Sequence, residues 1–207
     1  MIWIKICGIT NIEDGLKAAS LGVDALGFIF APSLRRVTPD MAQKIIRTLP
    51  NLNLKVGVFV NEEPEEVLRV AEYCGLNALQ FHGEELPEYC KIFSLPVIKA
   101  IRIKTLESLT GMERYPDATI LLDTYSPVKA GGTGISFPWT VALKAKEERN
   151  FILSGGLNPG NIGEAISKVR PWGVDVSSGV ETVPGKKDHL KMNDFVKEAR
   201  KAYEKTR

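Results

Sequence analysis

Eight short apolar runs, each separated from the next by room for one helix, constrain this fold more than any other feature of the sequence. Their centres lie about 20 to 30 residues apart, which leaves space for a helix and two short loops in every interval. Two parallel strands need such a crossover between them, so the pattern predicts consecutive βαβ units. The predicted strands are Ile2–Cys7, Ala25–Phe30, Leu54–Val60, Ala78–His82, Val97–Ile101, Thr119–Asp123, Phe151–Ser154 and Gly173–Val176.

Eight such units either close into a barrel or stay open as a doubly wound sheet. No break in composition divides the 207 residues, and eight is the number of strands that closes a barrel. We therefore predict an α/β chain that forms one (β/α)8 TIM barrel domain over residues 1–207. Helix starts are predicted at Thr38-Pro39, at Pro64 and at Asn158-Pro159, and a last helix over His189–Tyr203.

Charge and cysteine content exclude several classes of protein. A formal net charge of +2 leaves no excess to attract nucleic acid or an anionic membrane. The apolar run from Ala25 to Pro32 is far shorter than a membrane-spanning helix, and the N-terminus lacks the features of a signal peptide. Three cysteines without C-x-x-C spacing and two distant histidines argue against a zinc site or a disulfide framework. We expect a cytoplasmic protein without a bound metal.

Polar side chains recur on the strand face that we assign to the barrel interior. Side chains alternate along a strand, so the first, fourth, fifth, sixth and eighth predicted strands separate an apolar face from a face that carries charged or polar groups. Because buried charges are costly unless they are paired, several of them together indicate a polar site. Three of these residues end their strands at the rim, where the active sites of this fold lie: Cys7, His82 and Asp123. The others lie deeper: Lys5, Gln80, Lys99 and Asp175.

Three glycine-rich segments are candidates for binding an anion. Gly155 and Gly156 follow the seventh strand, and Ser178 and Gly179 follow the eighth, which is where phosphate sites of this fold are often built. The alternative is that these glycines only make tight turns. The third segment, around Gly132, lies in the longest loop and is expected to act as a substrate lid beside Asp123.

Taken together, the motifs of this sequence resemble the phosphoribosylanthranilate isomerase family, barrel enzymes of tryptophan biosynthesis. The resemblance spans almost the whole chain and its motifs come in order. They are Lys5-Ile6-Cys7-Gly8-Ile9-Thr10, Gly27-Phe28-Ile29-Phe30 with Ser33 and Arg36, Gly57-Val58-Phe59-Val60-Asn61, Gln80-Phe81-His82-Gly83, Leu121-Leu122-Asp123-Thr124, Gly131-Gly132-Thr133-Gly134 with Phe137 and Trp139, Leu153-Ser154-Gly155-Gly156-Leu157, Asp175-Val176-Ser177-Ser178-Gly179-Val180-Glu181 and Pro184-Gly185-Lys186-Lys187-Asp188.

The resemblance implies an Amadori rearrangement of N-(5'-phosphoribosyl)anthranilate to the carboxyphenylamino-deoxyribulose phosphate, without a cofactor. It implies that Asp123 is the general acid, Cys7 the general base, and Arg36 the group that holds the anthranilate carboxylate. The implied substrate site also includes His82 and Gly132, together with four residues that would bind the phosphate: Gly155, Gly156, Ser178 and Gly179. We expect Lys5 to favour the thiolate of Cys7, and the pKa of Asp123 to rise when substrate fills the site.

Two other readings remain open at this point. One is a related sugar-phosphate isomerase that uses two aspartates, which would need a carboxylate in place of Cys7. The other is a non-catalytic phosphosugar-binding barrel, which would not depend on Cys7 or Asp123. The sequence does not decide between a monomer and a homodimer, and Cys74 and Cys90 are expected to be packing residues.

Overall fold

A computed structural model describes residues 1–51, 54–103, 105–124 and 139–206, and its main element is a closed barrel. Eight parallel strands pair in chain order, and the eighth pairs with the first to complete the barrel, which confirms the predicted fold. The strands are β1 (Trp3–Cys7), β2 (Ala25–Ile29), β3 (Leu54–Phe59), β4 (Ala78–Phe81), β5 (Val97–Ile103), β6 (Thr119–Thr124), β7 (Phe151–Ser154) and β8 (Gly173–Val176).

Helices cover the outside of the barrel, and a small hairpin follows its last strand. Two connections depart from the regular pattern, because a 3-10 helix (Leu106–Arg114) follows β5 and a shorter one (Ser178–Val180) follows β8. The hairpin consists of β9 (Glu181–Val183) and β10 (Lys186–Lys187). The α-helices are α1 (Ile12–Ser20), α2 (Pro39–Ile46), α3 (Pro64–Cys74), α4 (Pro87–Cys90), α5 (Trp139–Glu148), α6 (Ile162–Val169) and α7 (His189–Lys205).

The helix starts follow the capping signals in two of three cases. Thr38 caps α2, where its side chain accepts from the backbone nitrogen of Met41, and α3 begins at Pro64 as predicted. The prediction for the helix after β7 was wrong, because α6 begins at Ile162 rather than at Asn158-Pro159. Asn158 Oδ1 instead accepts from the backbone nitrogen of Gly160 at 2.8 Å, which makes a separate turn ahead of the helix.

The barrel has an apolar core on each side of its sheet. The larger core lies between the strands and the helices, and it includes Ile4, Ile6, Leu79 and Phe81. The smaller one fills the lower barrel interior, where Trp3 packs against it and stacks on Trp172. The inner core consists of Ala25, Val56, Ala78, Ile98, Ala100, Leu121 and Ile152. Polar residues occupy the interior above this layer.

The prediction for the faces of β5 was wrong. Lys99 pairs in register with Phe81 of β4 and Ile120 of β6, which both face the helices, so Lys99 faces outward and Ile98 and Ala100 face the interior. The buried Lys99 ammonium lies 2.7 Å from a carboxylate oxygen of Glu85 and donates to the backbone oxygen of Gly83 at 2.6 Å. This ion pair compensates the burial of Lys99 outside the barrel, so Lys99 is not part of the interior polar site.

Candidate active site

The C-terminal rim, where the strands of the barrel end, carries the predicted site residues that the structure describes. Cys7 is the last residue of β1, Asp123 is the penultimate residue of β6, and His82 directly follows β4. Arg36 lies beyond β2 and forms an isolated bridge with Ile29 at the end of that strand. Gly155 and Gly156 follow β7, and Ser178 and Gly179 begin the short helix after β8. Gly132 lies outside the described residues, as does most of its loop.

The thiol of Cys7 is buried in a space that a glycine provides. Gly27 is the register partner of Cys7 on β2, and a Cβ built on it would lie 2.7 Å from the sulfur. Such a Cβ would also lie 3.1 Å from Cε of Lys5. Only glycine at position 27 therefore lets the thiol and the lysine side chain share this corner of the interior.

Lys5 is fully buried and forms an ion pair in the barrel interior. Its ammonium lies 2.9 Å from Oδ1 of Asp175, and Ser154 donates to Oδ2 of the same carboxylate at 3.1 Å. Burial lowers the pKa of Lys5, but the charges of Asp175 and Cys7 outweigh that effect and raise it overall. Lys5 is therefore a permanent positive charge beneath Cys7.

A second buried lysine, which the sequence analysis did not single out, also acts on Cys7. The ammonium of Lys187 lies 2.8 Å from Oε1 of Glu181 and donates to the backbone oxygen of Ser177 at 3.2 Å. Arg35 binds the same carboxylate through two nitrogens, with Nη2 2.7 Å from Oε2. Glu181 and Lys187 belong to the late motifs of the sequence, which was the only signal that pointed to them.

The pKa of the Cys7 thiol is raised above its ordinary value. Burial is the main cause, and the nearby carboxylate of Asp175 adds to it, whereas the positive charges of Lys5 and Lys187 lower the pKa. Lys5 thus acts in the direction that we expected, but burial outweighs it. In the unliganded protein the thiol is predominantly protonated at neutral pH.

His82 connects Asp123 to a buried amide. Nε2 of His82 lies 3.0 Å from Oδ2 of Asp123, and Nδ1 lies 3.1 Å from the side-chain nitrogen of Gln80. The structure therefore brings together two of the predicted site residues, the rim histidine and the rim aspartate. Both side chains are partly exposed, so the pair is accessible to a small molecule at the rim.

The two glycine segments form one surface, because the loops after β7 and β8 are in contact. A Cβ built on Gly179 would overlap the backbone oxygen of Leu157 and would lie 2.9 Å from its carbonyl carbon. Gly155 and Gly156 both have positive φ angles, 86° and 66°. Asn161 donates to the backbone oxygen of Gly156 at 2.9 Å and fixes the orientation of that peptide. Tight backbone turns of this kind can approach phosphate oxygens closely.

A buried hydroxyl and an exposed guanidinium lie unpaired at the same rim. Ser177 Oγ has no hydrogen-bond partner among the described residues, and a Cβ built on Gly8 would lie 3.1 Å from it. The side chain of Arg36 is exposed and, within the same described ranges, makes no hydrogen bond or ion pair. Arg35 is committed to Glu181, whereas the guanidinium of Arg36 is available to a ligand carboxylate.

The described residues contain no group of three or more His, Cys, Asp or Glu residues placed to hold a metal ion. Within the same part of the chain, no helix is long and apolar enough to cross a membrane.

Comparisons with known proteins agree on one family. The family model described as N-(5'phosphoribosyl)anthranilate (PRA) isomerase matches residues 4–198. An N-(5'-phosphoribosyl)anthranilate isomerase from Desulforudis audaxviator is 52% identical over 98% of this chain and 100% of its own length.

Two solved structures of the same kind superimpose on the barrel. The phosphoribosyl anthranilate isomerase of Thermotoga maritima has a TM-score of 0.91 at 47% identity and covers 97% of this chain and 100% of its own. A phosphoribosyl anthranilate isomerase in complex with reduced 1-(o-carboxyphenylamino)-1-deoxyribulose 5-phosphate has a TM-score of 0.88 at 45% identity, with the same coverage.

Proposed function

Since the chain belongs to the N-(5'-phosphoribosyl)anthranilate isomerase family, we propose how its own residues carry out that isomerisation. The substrate is a small aminoaldose phosphate, and the reaction converts it to 1-(o-carboxyphenylamino)-1-deoxyribulose 5-phosphate in tryptophan biosynthesis. The family assignment favours an enzyme over a non-catalytic phosphosugar-binding barrel. We also propose that residues 1–207 form one domain, which is supported by the closure of all eight strands into one barrel.

Asp123 is proposed as the general acid that opens the furanose ring. Its carboxyl group protonates the ring oxygen, the bond between that oxygen and C1' breaks, and the nitrogen of anthranilate supplies the electron pair that forms an iminium. The hydrogen bond between Asp123 and His82, at 3.0 Å, supports this role because it stabilises the carboxylate that proton transfer leaves behind.

Cys7 is proposed as the general base that removes the C2' proton of the iminium. The electron pair of that C–H bond then forms an enolamine, which tautomerises to the ketone of the product. The base must be a thiolate, and burial raises the pKa of Cys7, so the positive charges of Lys5 and Lys187 are needed to keep the thiolate accessible. The single observation that carries the proposal is that the Cys7 thiol shares the space beside Gly27 with the buried side chain of Lys5, whose positive charge lowers the pKa of the thiol.

The remaining rim residues are proposed to bind the two ends of the substrate. Arg36 binds the anthranilate carboxylate, which is supported by its exposed and uncommitted guanidinium. The phosphate is bound by the backbones of Gly155, Gly156, Ser178 and Gly179. The contact between the loops after β7 and β8, which carry these residues, supports this assignment. His82 contacts the substrate beside Asp123, and Gly132 is proposed to close over it from the loop outside the described residues.

We propose that the enzyme works in the cytoplasm. All three cysteines are free and buried, and a thiolate base requires a compartment that keeps thiols reduced. Its substrate is a small phosphorylated metabolite, and a net charge of +2 gives no reason to expect nucleic acid or a membrane as a partner.

The experiment that tests this proposal compares turnover of phosphoribosylanthranilate by wild type, Cys7→Ala and Asp123→Asn, followed by substrate fluorescence in the presence of EDTA. Each variant is expected to lose about 10²–10⁴ in kcat while it folds normally, because each removes one proton-transfer group. Cys90→Ala, which removes a buried thiol in α4, is the matched control and is expected to keep wild-type turnover. Wild-type kcat in Cys7→Ala or Asp123→Asn would contradict the assigned roles.

A further inference from the structure

Gln80 is a buried polar residue of the barrel interior to which the proposed mechanism gives no role. It lies on β4 with 1% of its surface exposed, level in register with Val58 on one side and Ile98 on the other. Its side-chain nitrogen lies 3.1 Å from Nδ1 of His82, whereas its side-chain oxygen has no hydrogen-bond partner among the described residues. A buried amide with one unpaired end adds little to the stability of the protein, so its role is assigned from its hydrogen bond to His82.

We propose that Gln80 is a positioning residue for the isomerisation. Its amide holds His82 in the neutral form with the proton on Nε2. A neutral His82 lets Asp123 keep the proton that it delivers to the substrate. The inference rests on the proposed role of Asp123 as the general acid.

The hydrogen-bonding capacity of imidazole leads to this assignment. A neutral imidazole has one N–H donor and one lone-pair acceptor. The structure places the amide nitrogen of Gln80, which can only donate, against Nδ1; this arrangement fits a lone pair on Nδ1 and a proton on Nε2. Nε2 then donates to Oδ2 of Asp123 at 3.0 Å. A proton on Nδ1 would instead face the N–H bonds of the amide and would be repelled.

The neutral state of His82 matters for the chemistry of its neighbour. An imidazolium next to Asp123 would form an ion pair with its carboxylate, and a carboxylate held in an ion pair has no proton to give. A neutral imidazole donates one hydrogen bond to Oδ2 and leaves Oδ1 to carry the acidic proton. After the proton leaves, the same hydrogen bond becomes charge-assisted and stabilises the carboxylate.

The charges that contact His82 are few in the part of the chain that the structure describes. Asp123 approaches it from β6, and Arg102 of β5 donates to its backbone oxygen at 3.4 Å. Beyond Gly83, Lys99 and Glu85 compensate each other as an ion pair at 2.7 Å. Asp123 is thus the group that would favour an imidazolium, and the amide of Gln80 opposes it directly on the ring.

The experiment is a ¹⁵N spectrum of the imidazole rings at pH 7, which reports the protonation of each ring nitrogen separately. The sequence has only two histidines. His189 is an internal reference because its Nε2 also contacts a carboxylate, Asp14 at 2.9 Å, and among the described residues no glutamine donates to its ring. We expect His82 of the wild type to show an unprotonated Nδ1 and a protonated Nε2. A proton on Nδ1, alone or together with one on Nε2, would overturn the proposal.

Two substitutions at position 80 separate this role from packing. In Gln80→Glu a carboxylate accepts from Nδ1, so His82 should become an imidazolium and kcat should fall about a hundredfold with little change in KM. In Gln80→Met the amide is lost at similar volume, and kcat should fall about threefold to tenfold. The spectrum of His189 should not change in either variant. Wild-type kcat in Gln80→Glu would overturn the proposal, and the wild-type spectrum decides the tautomer even if a variant does not fold.

The same measurements distinguish this inference from the assignment of the acid. Asp123→Asn tests the acid by its loss of kcat, whereas the tautomer of His82 is read in the wild type without turnover. Retained kcat in Asp123→Asn would refute the proposed acid and leave the tautomer standing. A neutral His82 with its proton on Nδ1 in the wild type would refute the role of Gln80 and leave the acid standing, because its Nε2 could accept a hydrogen bond from a protonated Asp123.

Discussion

Substitution of Gly179 by alanine tests the proposed phosphate site through a single added methyl group. A Cβ at this position would overlap the backbone oxygen of Leu157 and would lie 2.9 Å from its carbonyl carbon and 3.0 Å from Cβ of Asn158. Ordinary contacts are 3.4 Å or more, so the loops after β7 and β8 must move apart by roughly 1.5 Å. A displacement of that size within a binding site typically costs about 100-fold, or about 2.7 kcal/mol, in kcat/KM.

The assay is steady-state turnover, together with inhibition by inorganic phosphate as a direct probe of the phosphate site. Gly179→Ala should raise KM and weaken phosphate inhibition, and overpacking should lower the free energy of unfolding by about 1–3 kcal/mol. Gly163→Ala in α6 is the matched control, because a Cβ there meets no atom within 4 Å and alanine favours a helix. Wild-type KM and phosphate inhibition in Gly179→Ala would refute the argument that this contact shapes the phosphate site.

Three further predictions follow from the charges and thiols. Lys187→Met removes a positive charge that lowers the pKa of Cys7, while Arg35 still neutralises Glu181, so the pKa of the thiol should rise further. As a result, kcat at pH 7 should fall about tenfold for each added pKa unit and should recover at higher pH. An unchanged dependence of kcat on pH would contradict this. Burial raises the pKa of Cys74 from its ordinary 9.0 to about 11, so between these pH values the folded state retains a proton that the unfolded chain loses. The free energy of unfolding in urea should therefore decrease with pH across this window more steeply in wild type than in Cys74→Ala. The same decrease with pH in both proteins would contradict this. Arg36→Lys should raise KM about tenfold with little change in kcat, because an ammonium cannot bind a carboxylate through two parallel hydrogen bonds; an unchanged KM would contradict the proposed contact.

The strands, and two of the three helix starts predicted from capping signals, were predictable because they depend on local patterns. Recurring apolar runs predicted all eight strands to within two residues at either end, and the cap at Thr38 and the proline at position 64 predicted two helix starts. Asn158 shows the limit of such signals. An asparagine followed by proline resembles a helix cap, but here the asparagine side chain closes its own turn with Gly160, so the helix begins later.

Lys5 and Lys99 show why alternation alone does not identify an interior residue. Both lysines lie in the middle of apolar strands, and alternation only states which neighbours share a face with them. Lys5 faces the interior because its partner Asp175 lies on the adjacent strand β8. Lys99 faces the helices because its partner Glu85 belongs to the connection after β4. The identity of a buried lysine's partner depends on tertiary structure, which the sequence pattern does not contain.

The candidate site was predictable at its rim and not in its supporting residues. Cys7, His82 and Asp123 could be proposed because strand ends converge in a barrel. Lys187 could not be assigned a role, because β9 and β10 follow the last barrel strand and only the folded chain brings that ammonium near Cys7. The contact between Gly179 and Leu157 likewise joins two loops that the sequence separates by a helix and a strand.

The dependence of residual kcat on pH in Asp123→Asn and in Cys7→Ala tests the central claim most directly, because each variant isolates one of the two proposed proton-transfer groups. Burial raises the pKa of the Cys7 thiol, so kcat of Asp123→Asn should keep rising with pH beyond 9.0, as the thiolate forms. Cys7→Ala should lack this rise, because no thiolate can form at the position of the base. A rise toward alkaline pH that persists in Cys7→Ala, or is absent from Asp123→Asn, would contradict a mechanism in which Cys7 is the base and Asp123 the acid.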